Sequence, residues 1–492
     1  MTKSPFNQRS EFEWHIPMTG DMHVPGIIYA SKQIIQDMDE LAIKQLCDVA
    51  CLPGIVGAAY AMPDAHSGYG FPIGGVGAFD PSKGGIISMG GVGFDISCGV
   101  RTLLTGLTRD DILANQEQLA EKLFHTVPSG VGKGGDLLVD GDELDEMLYR
   151  GAAWAVDRGF GSMEDLKRIE EGGFMRGASA KHVSNHAKDR IRNQVGSLGS
   201  GNHYLEIQWV DKILDQNKAL IFGLKEGDAV VSIHCGSRGL GHQIGKDFLD
   251  ELAPPSRKKS KKSKHKSKKS PSFASQIPIP NRELACAPIH SEPGKRYIGA
   301  MQAGINCALA NRQVIGHLVR QAFSEIFPNS NLDLLYDVSH NTCKAETHTV
   351  DGKDKMLFVH RKGATRAFGP GHPDIPIDLR DAGQPVLVGG SMGTPSYILA
   401  GSAEAEHKSF SSTCHGAGRT MSRTEARRRF KGRDVAESLK HQGIFVRSFS
   451  FKGIAEEAPA SYKGIDEVVR SATGAGLVIP VARVRPLVCI KG

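Results

Sequence analysis

Short β-rich apolar runs that end in glycine or a small polar residue recur along the chain, and the clearest of them lead straight into loops that carry a histidine. Residues 229–233 run into His234-Cys235-Gly236-Ser237-Arg238, and residues 332–338 run into Ser339-His340-Asn341. A strand end is held by its sheet while its side chains stay open to a ligand, so these runs predict strands that position chemistry. Helical spacing predicts helices over 32–49, 109–123, 144–158 and 423–442, and further helical stretches over 244–252 and 297–327. Strands and helices intermix without a regular βαβ beat, which favours an α+β fold over a doubly wound sheet. No apolar run reaches the length of a membrane span, and the N-terminal residues lack an apolar signal core. A soluble, cytoplasmic protein that contacts no membrane is expected.

At 492 residues, with 40% hydrophobic residues and 58 glycines, the chain can bury a substantial core and is rich in loops. Its nine cysteines, Cys47, Cys51, Cys98, Cys235, Cys286, Cys307, Cys343, Cys414 and Cys489, are dispersed and form no CxxC pair. Neither a disulfide framework nor a zinc ribbon follows, and a reducing compartment fits. The formal charge of +6 suggests a nucleic-acid surface until it is located: one arginine and eight lysines fall within 257–269, and removing those nine leaves −3. Contacts to nucleic acid by the fold must then come from local clusters such as Arg361, Lys362 and Arg366, or Arg419, Arg423 and Arg427. The low-complexity stretch 254–275 cannot bury much apolar surface and is expected to be a disordered insertion within one continuous fold.

The segment Thr413-Cys414-His415-Gly416-Ala417-Gly418-Arg419 holds a histidine that packing explains poorly. Its glycines let backbone amides approach an anion, Arg419 supplies a guanidinium fork, and a neutral imidazole is a competent nucleophile toward phosphorus. In Gly90-Gly91-Val92-Gly93-Phe94-Asp95-Ile96-Ser97-Cys98-Gly99-Val100-Arg101, a carboxylate and a thiol stand three apart. Together with His203, His234 and His340 they make an Asp, Cys and three-His set, enough for two metal ions that share Cys98. Cys98 as a small buried hydrophobe and the glycines as turn formers are the alternative. Other motifs fail: Gly68 to Gly74 puts Pro72 where a dinucleotide-binding helix would start, and Gly130-Val131-Gly132-Lys133-Gly134 lacks the spacing of a phosphate loop. No lysine stands two places before an Asp-Gly pair, so the lysine nucleophile of the common nucleotidyltransferase ligases is missing.

Eight motifs, in order, carry a resemblance to a known family. They are Pro63 to Gly70, the Gly90 to Arg101 segment, Gly199 to Glu206 (GSGNHYLE), His234 to Gly241, Tyr336 to Asn341, His360 to Arg366 (HRKGATR), Cys414 to Arg419 and the terminal Ile490-Lys491-Gly492. The whole chain resembles the RtcB family of RNA-splicing ligases, apart from the lysine-rich insertion. The resemblance implies a single large domain of mixed sheets and helices around a central metal and nucleotide cleft. It also implies a GTP- and Mn²⁺-dependent ligase that joins RNA 3′-phosphate or 2′,3′-cyclic phosphate ends to 5′-hydroxyl ends, in tRNA splicing or RNA repair.

Carried over by position, His415 matches the guanylylated histidine and Asp64 its orienting acceptor. Asp95, Cys98 and His203 match the ligands of one manganese, and Cys98, His234 and His340 those of the other. Asn202, His203, Tyr204, Leu205, Glu206, His340, Asn341, Gly389, Gly390, Ser391, Met392, Ser396, His415, Gly416, Ala417, Gly418, Tyr462 and Lys491 match the nucleotide site. Arg190, Gln194, Arg238, Lys362, Arg366 and Arg423 are expected to receive RNA or nucleotide phosphates. RNA is the implied partner, with an archease-type activating protein as a further expectation and a monomer as the expected state.

Thiolate and imidazole donors alone favour zinc over manganese, so the oxygens of a bound nucleotide and metal availability must supply that preference. Two rival readings stand beside the ligase. A dinuclear metal phosphohydrolase or cyclic phosphodiesterase explains the metal set but leaves His415 and Lys491 without a role. A non-catalytic RNA scaffold would rest on the lysine tract. Among weaker candidates, His66 is expected near the site and Tyr204 against a guanine face. His15, His125, His317, His441, Cys235 and Cys343 are expected in surface or packing roles.

Overall fold

The computed structural model describes residues 6–253 and 277–492; the low-complexity stretch expected over 254–275 lies outside the described residues. Two large sheets organise the chain. One runs in the order Asp333–Ser339, Gly99–Thr108, Asp228–Cys235, Tyr204–Ile213, Val478–Lys491, Ser396–Gly401, Pro385–Val388, with Phe445–Ser448 added in parallel beside Val478–Lys491. The other runs Asn7–Ser10, Glu13–Ile16, Gly26–Tyr29, Ile55–His66, Ile73–Phe79, Lys353–Lys362, Asn341–Val350. The interior strand at 229–233 is apolar almost throughout and buried, and the edge strand Asp333–Ser339 is buried from Leu334 onward, as a sheet covered on both faces requires.

One passage of the chain between the two sheets takes a single residue, His340, between Asp333–Ser339 and Asn341–Val350. A two-stranded ribbon, Ala364–Arg366 against Ser412–Cys414, ends immediately before His415. Both large sheets therefore deliver strand ends to one place.

The helix Glu292–Ile326 is buried along much of its length and packs against Gln116–Thr126, Gly141–Arg150, Ala152–Asp157 and Arg238–Leu252. It begins five residues earlier than its spacing predicts, because Ser291 caps it by accepting from the Gly294 amide at 3.2 Å. Four stretches expected as single helices are each broken in two. Asp39 caps Glu40–Ala50 through the Leu41 amide, after a separate turn at Lys32–Gln36. Gly151, at φ +57, separates Gly141–Arg150 from Ala152–Asp157, and a Cβ there would meet the Gly173 carbonyl at 2.6 Å. Arg109–Ala114 and Gln116–Thr126 part at Asn115, and Arg423–Arg429 and Gly432–His441 at Phe430 and Lys431. Hydrophobic periodicity carries through each break, since a change of axis leaves the apolar face pointing at the same core. Among the described residues no helix is long and apolar enough to cross a membrane.

Candidate metal and nucleotide site

Four residues distant in sequence become neighbours through strand register. Ser339 pairs with Gly99, Gly99 with Cys235, Val100 with His234, and His234 with Tyr204. Adjacent strands lie about 4.8 Å apart, so His340, Cys98, His234 and His203 form a row across four strand ends. The Cys98 Sγ lies 3.3 Å from His203 Nε2 and 3.1 Å from His234 Nε2, and His234 Nε2 lies 3.1 Å from His340 Nε2. Asp95 Oδ2 is 2.8 Å from His203 Nε2. Two sets, Asp95 with Cys98 and His203, and Cys98 with His234 and His340, each bring donor atoms within 4.8 Å of one another.

The surroundings aim these donors inward. His203 Nδ1 lies 2.9 Å from the Leu198 carbonyl and His234 Nδ1 3.0 Å from that of Asn202, which fixes the tautomer and turns each Nε2 lone pair toward Cys98. Burial holds the His234 and His340 imidazoles well below their usual range, hence neutral, and pushes the Cys98 thiol up to about 12. A thiol so placed ionises only when a cation takes the proton's place. The donor set therefore fits one or two divalent ions.

Behind this row Arg312 makes a scaffold. Its Nη1 donates to the carbonyls of Ser97 at 2.7 Å and Cys235 at 2.9 Å, the residues flanking Cys98 and His234. Its Nε donates to Asp337, which also accepts from Arg101 Nε at 2.8 Å. All three side chains are wholly buried. The sequence signal for this network is Asn311-Arg312-Gln313, three polar residues in the apolar middle of a helix.

On the facing wall, Asp64 Oδ2 accepts from His415 Nδ1 at 2.7 Å, from the His415 amide at 3.1 Å and from the Gly416 amide at 3.3 Å. Asp64 is fully buried, whereas the His415 side chain is 14% exposed, so the imidazole alone reaches the cleft. Its ring centroid stands 4.7 Å from that of His340. Gly418, at φ +71, is obligatory, since a Cβ there would meet the Asp64 carbonyl at 2.2 Å. The loop is stitched to a second glycine loop by Ala417 N to the Gly389 carbonyl at 3.0 Å.

One cleft of about 1230 Å³ joins the two walls. It is lined by Asp95, Cys98, Asn202, Tyr204, Glu206, His234, His340, Asn341, Lys362, Gly389 to Met392, His415 to Gly418, Arg423, Tyr462 and Lys491. His66 also lines it, its ring held low, at about 4, by burial. Lys491 Nζ donates to the carbonyls of Gly201 and His203 and lies 5.7 Å over the Tyr204 ring. Arg419 and Arg423 each donate at 3.0 Å to the buried carboxylate of Glu457, which also accepts from the Tyr462 hydroxyl. Glu457 and Lys463 are cleft residues that sequence reasoning did not single out; neither sits in a motif or a periodic stretch that marks it.

Several expected residues do not face the cleft. Leu205 points into the core because alternate strand residues take opposite faces, Tyr204 and Glu206 having the cleft side. Ser396 acts behind the wall by accepting from the Gly390 amide at 3.0 Å. Arg190, Gln194 and Arg238 form a separate cluster: Gln194 accepts from the Gly239 amide, Arg190 donates to Gln243, and Arg238 Nε donates to Ser197. Arg366 is corrected most clearly: its guanidinium is buried against Glu170, Glu171 and Glu346, which already satisfy its charge. Cys235 and Cys343 lie outside both donor sets, Cys235 3.0 Å from the Leu198 carbonyl and Cys343 3.5 Å from His360.

A buried thiol and imidazole donor set that could hold a cation faces a carboxylate-held histidine across a glycine-rich cleft, an arrangement suited to metal-assisted phosphoryl or nucleotidyl transfer. Comparison with known proteins narrows the class. Residues 45–492 match the family model described as tRNA-splicing ligase RtcB. The tRNA-splicing ligase RtcB of Archaeoglobus fulgidus is 48% identical over 98% of both chains, and that of Thermococcus kodakarensis 47% identical over 99% of both. The RNA-splicing ligase RtcB of Mycobacterium tuberculosis is 47% identical over 91% of this chain and all of its own. The chain belongs to the RtcB family.

Proposed function

We propose that this chain is a GTP- and Mn²⁺-dependent RNA ligase that joins 3′-phosphate or 2′,3′-cyclic phosphate ends to 5′-hydroxyl ends through a guanylylated His415, in tRNA splicing or RNA repair. The observation that carries the reading is the pairing of His415 Nδ1 with buried Asp64, which leaves Nε2 as the nucleophilic atom, 4.7 Å ring to ring from a metal-ligand histidine. Two manganese ions, held by Asp95, Cys98 and His203 and by Cys98, His234 and His340, would neutralise the triphosphate and polarise its α-phosphorus.

The chain's own residues do the rest. Asp64 keeps the proton on Nδ1, so the lone pair sits on Nε2 and the developing imidazolium is stabilised. His415 Nε2 forms a bond to the α-phosphorus of GTP as the bond to pyrophosphate breaks. The RNA 3′-phosphate then takes GMP from the histidine, with cleavage of the P–N bond, and the 5′-hydroxyl of the second end displaces GMP to close the phosphodiester. A cyclic end is hydrolysed to the 3′-phosphate first. Tyr204 and Tyr462 offer ring faces to the purine, while the loops Gly389 to Met392 and Gly416 to Gly418, with Lys491, line the space for the nucleotide. Arg423 and Lys362 in the cleft, and Arg190, Gln194 and Arg238 beside it, take RNA phosphates; Arg366 is left out of that set. RNA is the partner of this reading, with an archease-type activator as an expectation from the family.

Incubation with α-labelled GTP and Mn²⁺ tests it. Covalent label is expected on the wild-type protein and none on His415→Ala. An unlabelled wild type that still cleaves cyclic phosphate ends would make the protein a metal phosphohydrolase instead.

A further inference from the structure

Three rings at the mouth of the cleft have no part in the chemistry above. Tyr69 and Phe94 both line the cleft, with ring centroids 5.2 Å apart at 56°, and Phe94 continues to His242 at 5.3 Å and 32°. Tyr69 and Phe94 are half-buried and His242 is exposed, so the ladder starts in the cleft and ends in solvent. The Phe94 ring is fixed from behind, because it packs on Gly245, where a Cβ would approach Phe94 Cδ1 to 2.9 Å. An ordinary apolar rim would be flanked by neutral groups. This one carries charge of both signs, with cations on the His242 side: Arg190 Nη1 lies 3.4 Å from His242 Nδ1 with Lys246 and Asp95 also near, while at Tyr69 Lys362 Nζ donates to the carbonyl and Arg282 stands with Glu283 and Asp250 close enough to influence the ring hydroxyl. Partial burial, with Arg190 and Lys246 alongside, keeps the His242 imidazole low and thus an uncharged ring.

Rigid, partly exposed aromatic faces interleaved with basic side chains are what an unpaired nucleic-acid strand requires, the rings taking bases and the cations taking phosphates. The step from Phe94 to Asp95 is one residue, so a base on this ladder stands beside the metal donors. We propose that the Tyr69–Phe94–His242 ladder is a stacking subsite for an unpaired base next to the RNA end that reacts. This rests on the ligase reading, which supplies the RNA; the geometry adds where its base goes. Stacking is indifferent to base identity, so the subsite would grip ends of any sequence.

The test uses short single-stranded RNAs with 2-aminopurine at the last nucleotide of a 3′-phosphate or a 5′-hydroxyl end, and the same strands with an abasic site there. Wild-type protein should quench the probe at one of the two ends. Phe94→Leu keeps the bulk over Gly245 but removes the π face; it should lose the quench and bind that strand about tenfold more weakly. Phe94→Tyr should restore both, and the abasic strand should bind wild type and Phe94→Leu equally. Metal content measured on each variant reports damage to neighbouring Asp95. Absence of quenching at both ends, or equal weakening of the abasic and intact strands in Phe94→Leu, overturns the subsite. The ligase reading fails separately, through a wild type that GTP does not label while quenching persists.

Discussion

The two walls of the cleft are built in opposite ways. The donor wall is made by sheet register: Cys98, His203, His234 and His340 stand at the ends of four hydrogen-bonded strands, and Arg312 ties together the carbonyls next to two of them, Ser97 beside Cys98 and Cys235 beside His234. The histidine wall is made by loops, whose path is fixed by glycines too close to other backbone for any side chain and by one carboxylate that takes three hydrogen bonds. A register-built site loses function when a donor is removed, because the frame stays and has nothing to put in its place. A loop-built site is more exposed to the loss of its fastener, since the fastener is also the frame.

The sharpest way to break this contrast is Cys98→Ser. One sulfur belongs to both donor sets, so the variant should lose bound metal in both and fall to background ligation, while its melting temperature stays near that of the metal-free wild type. Metal analysis with thermal melting checks it, and retention of a full metal complement would show that the shared thiol is not the hub. Next in size is Asp64→Asn, which keeps the shape but loses the charge that orients His415. GTP labelling should slow by about 10–100-fold with metal content unchanged; loss of metal as well would mean that the two walls are not independent.

The smallest effect concerns Lys362, whose ammonium burial draws down to about 7 in the folded chain from an ordinary value near 10.5. Between those values the unfolded chain binds more protons, so this lysine makes stability rise with pH across that window. Replacing it with methionine should therefore help stability most near pH 7 and progressively less toward pH 10. Melting curves of the two proteins across that range check the sign, and a constant difference would mean that Lys362 keeps an ordinary basicity.

Much of the site could be read from residue type and local order. A histidine among small polar residues at the end of an apolar run, as at His234 and His340, marks a strand end whether or not its neighbours are known. Glycine flanks at His415 mark a close backbone approach. Arg366 misled because a basic residue in a basic motif looks free, and only the fold reveals Glu170, Glu171 and Glu346 around it. Glu457 went unseen for the converse reason: its partners Arg419 and Arg423 lie more than thirty positions away. The four split helices were misread because an apolar face continues across a kink.

Sequence by itself determined the chemistry on offer: which thiol, carboxylate and imidazole donors, which glycine-flanked histidine, and the strands and glycines that would carry them, since these depend on residue type and near neighbours. Tertiary structure decided their company. Register put Cys98 between two imidazoles from strands more than a hundred residues on, and the crossing from one sheet to the other at His340 set that ligand against His415. Such meetings are fixed by hydrogen-bonded pairing between distant segments, a relation that no local pattern in the chain encodes.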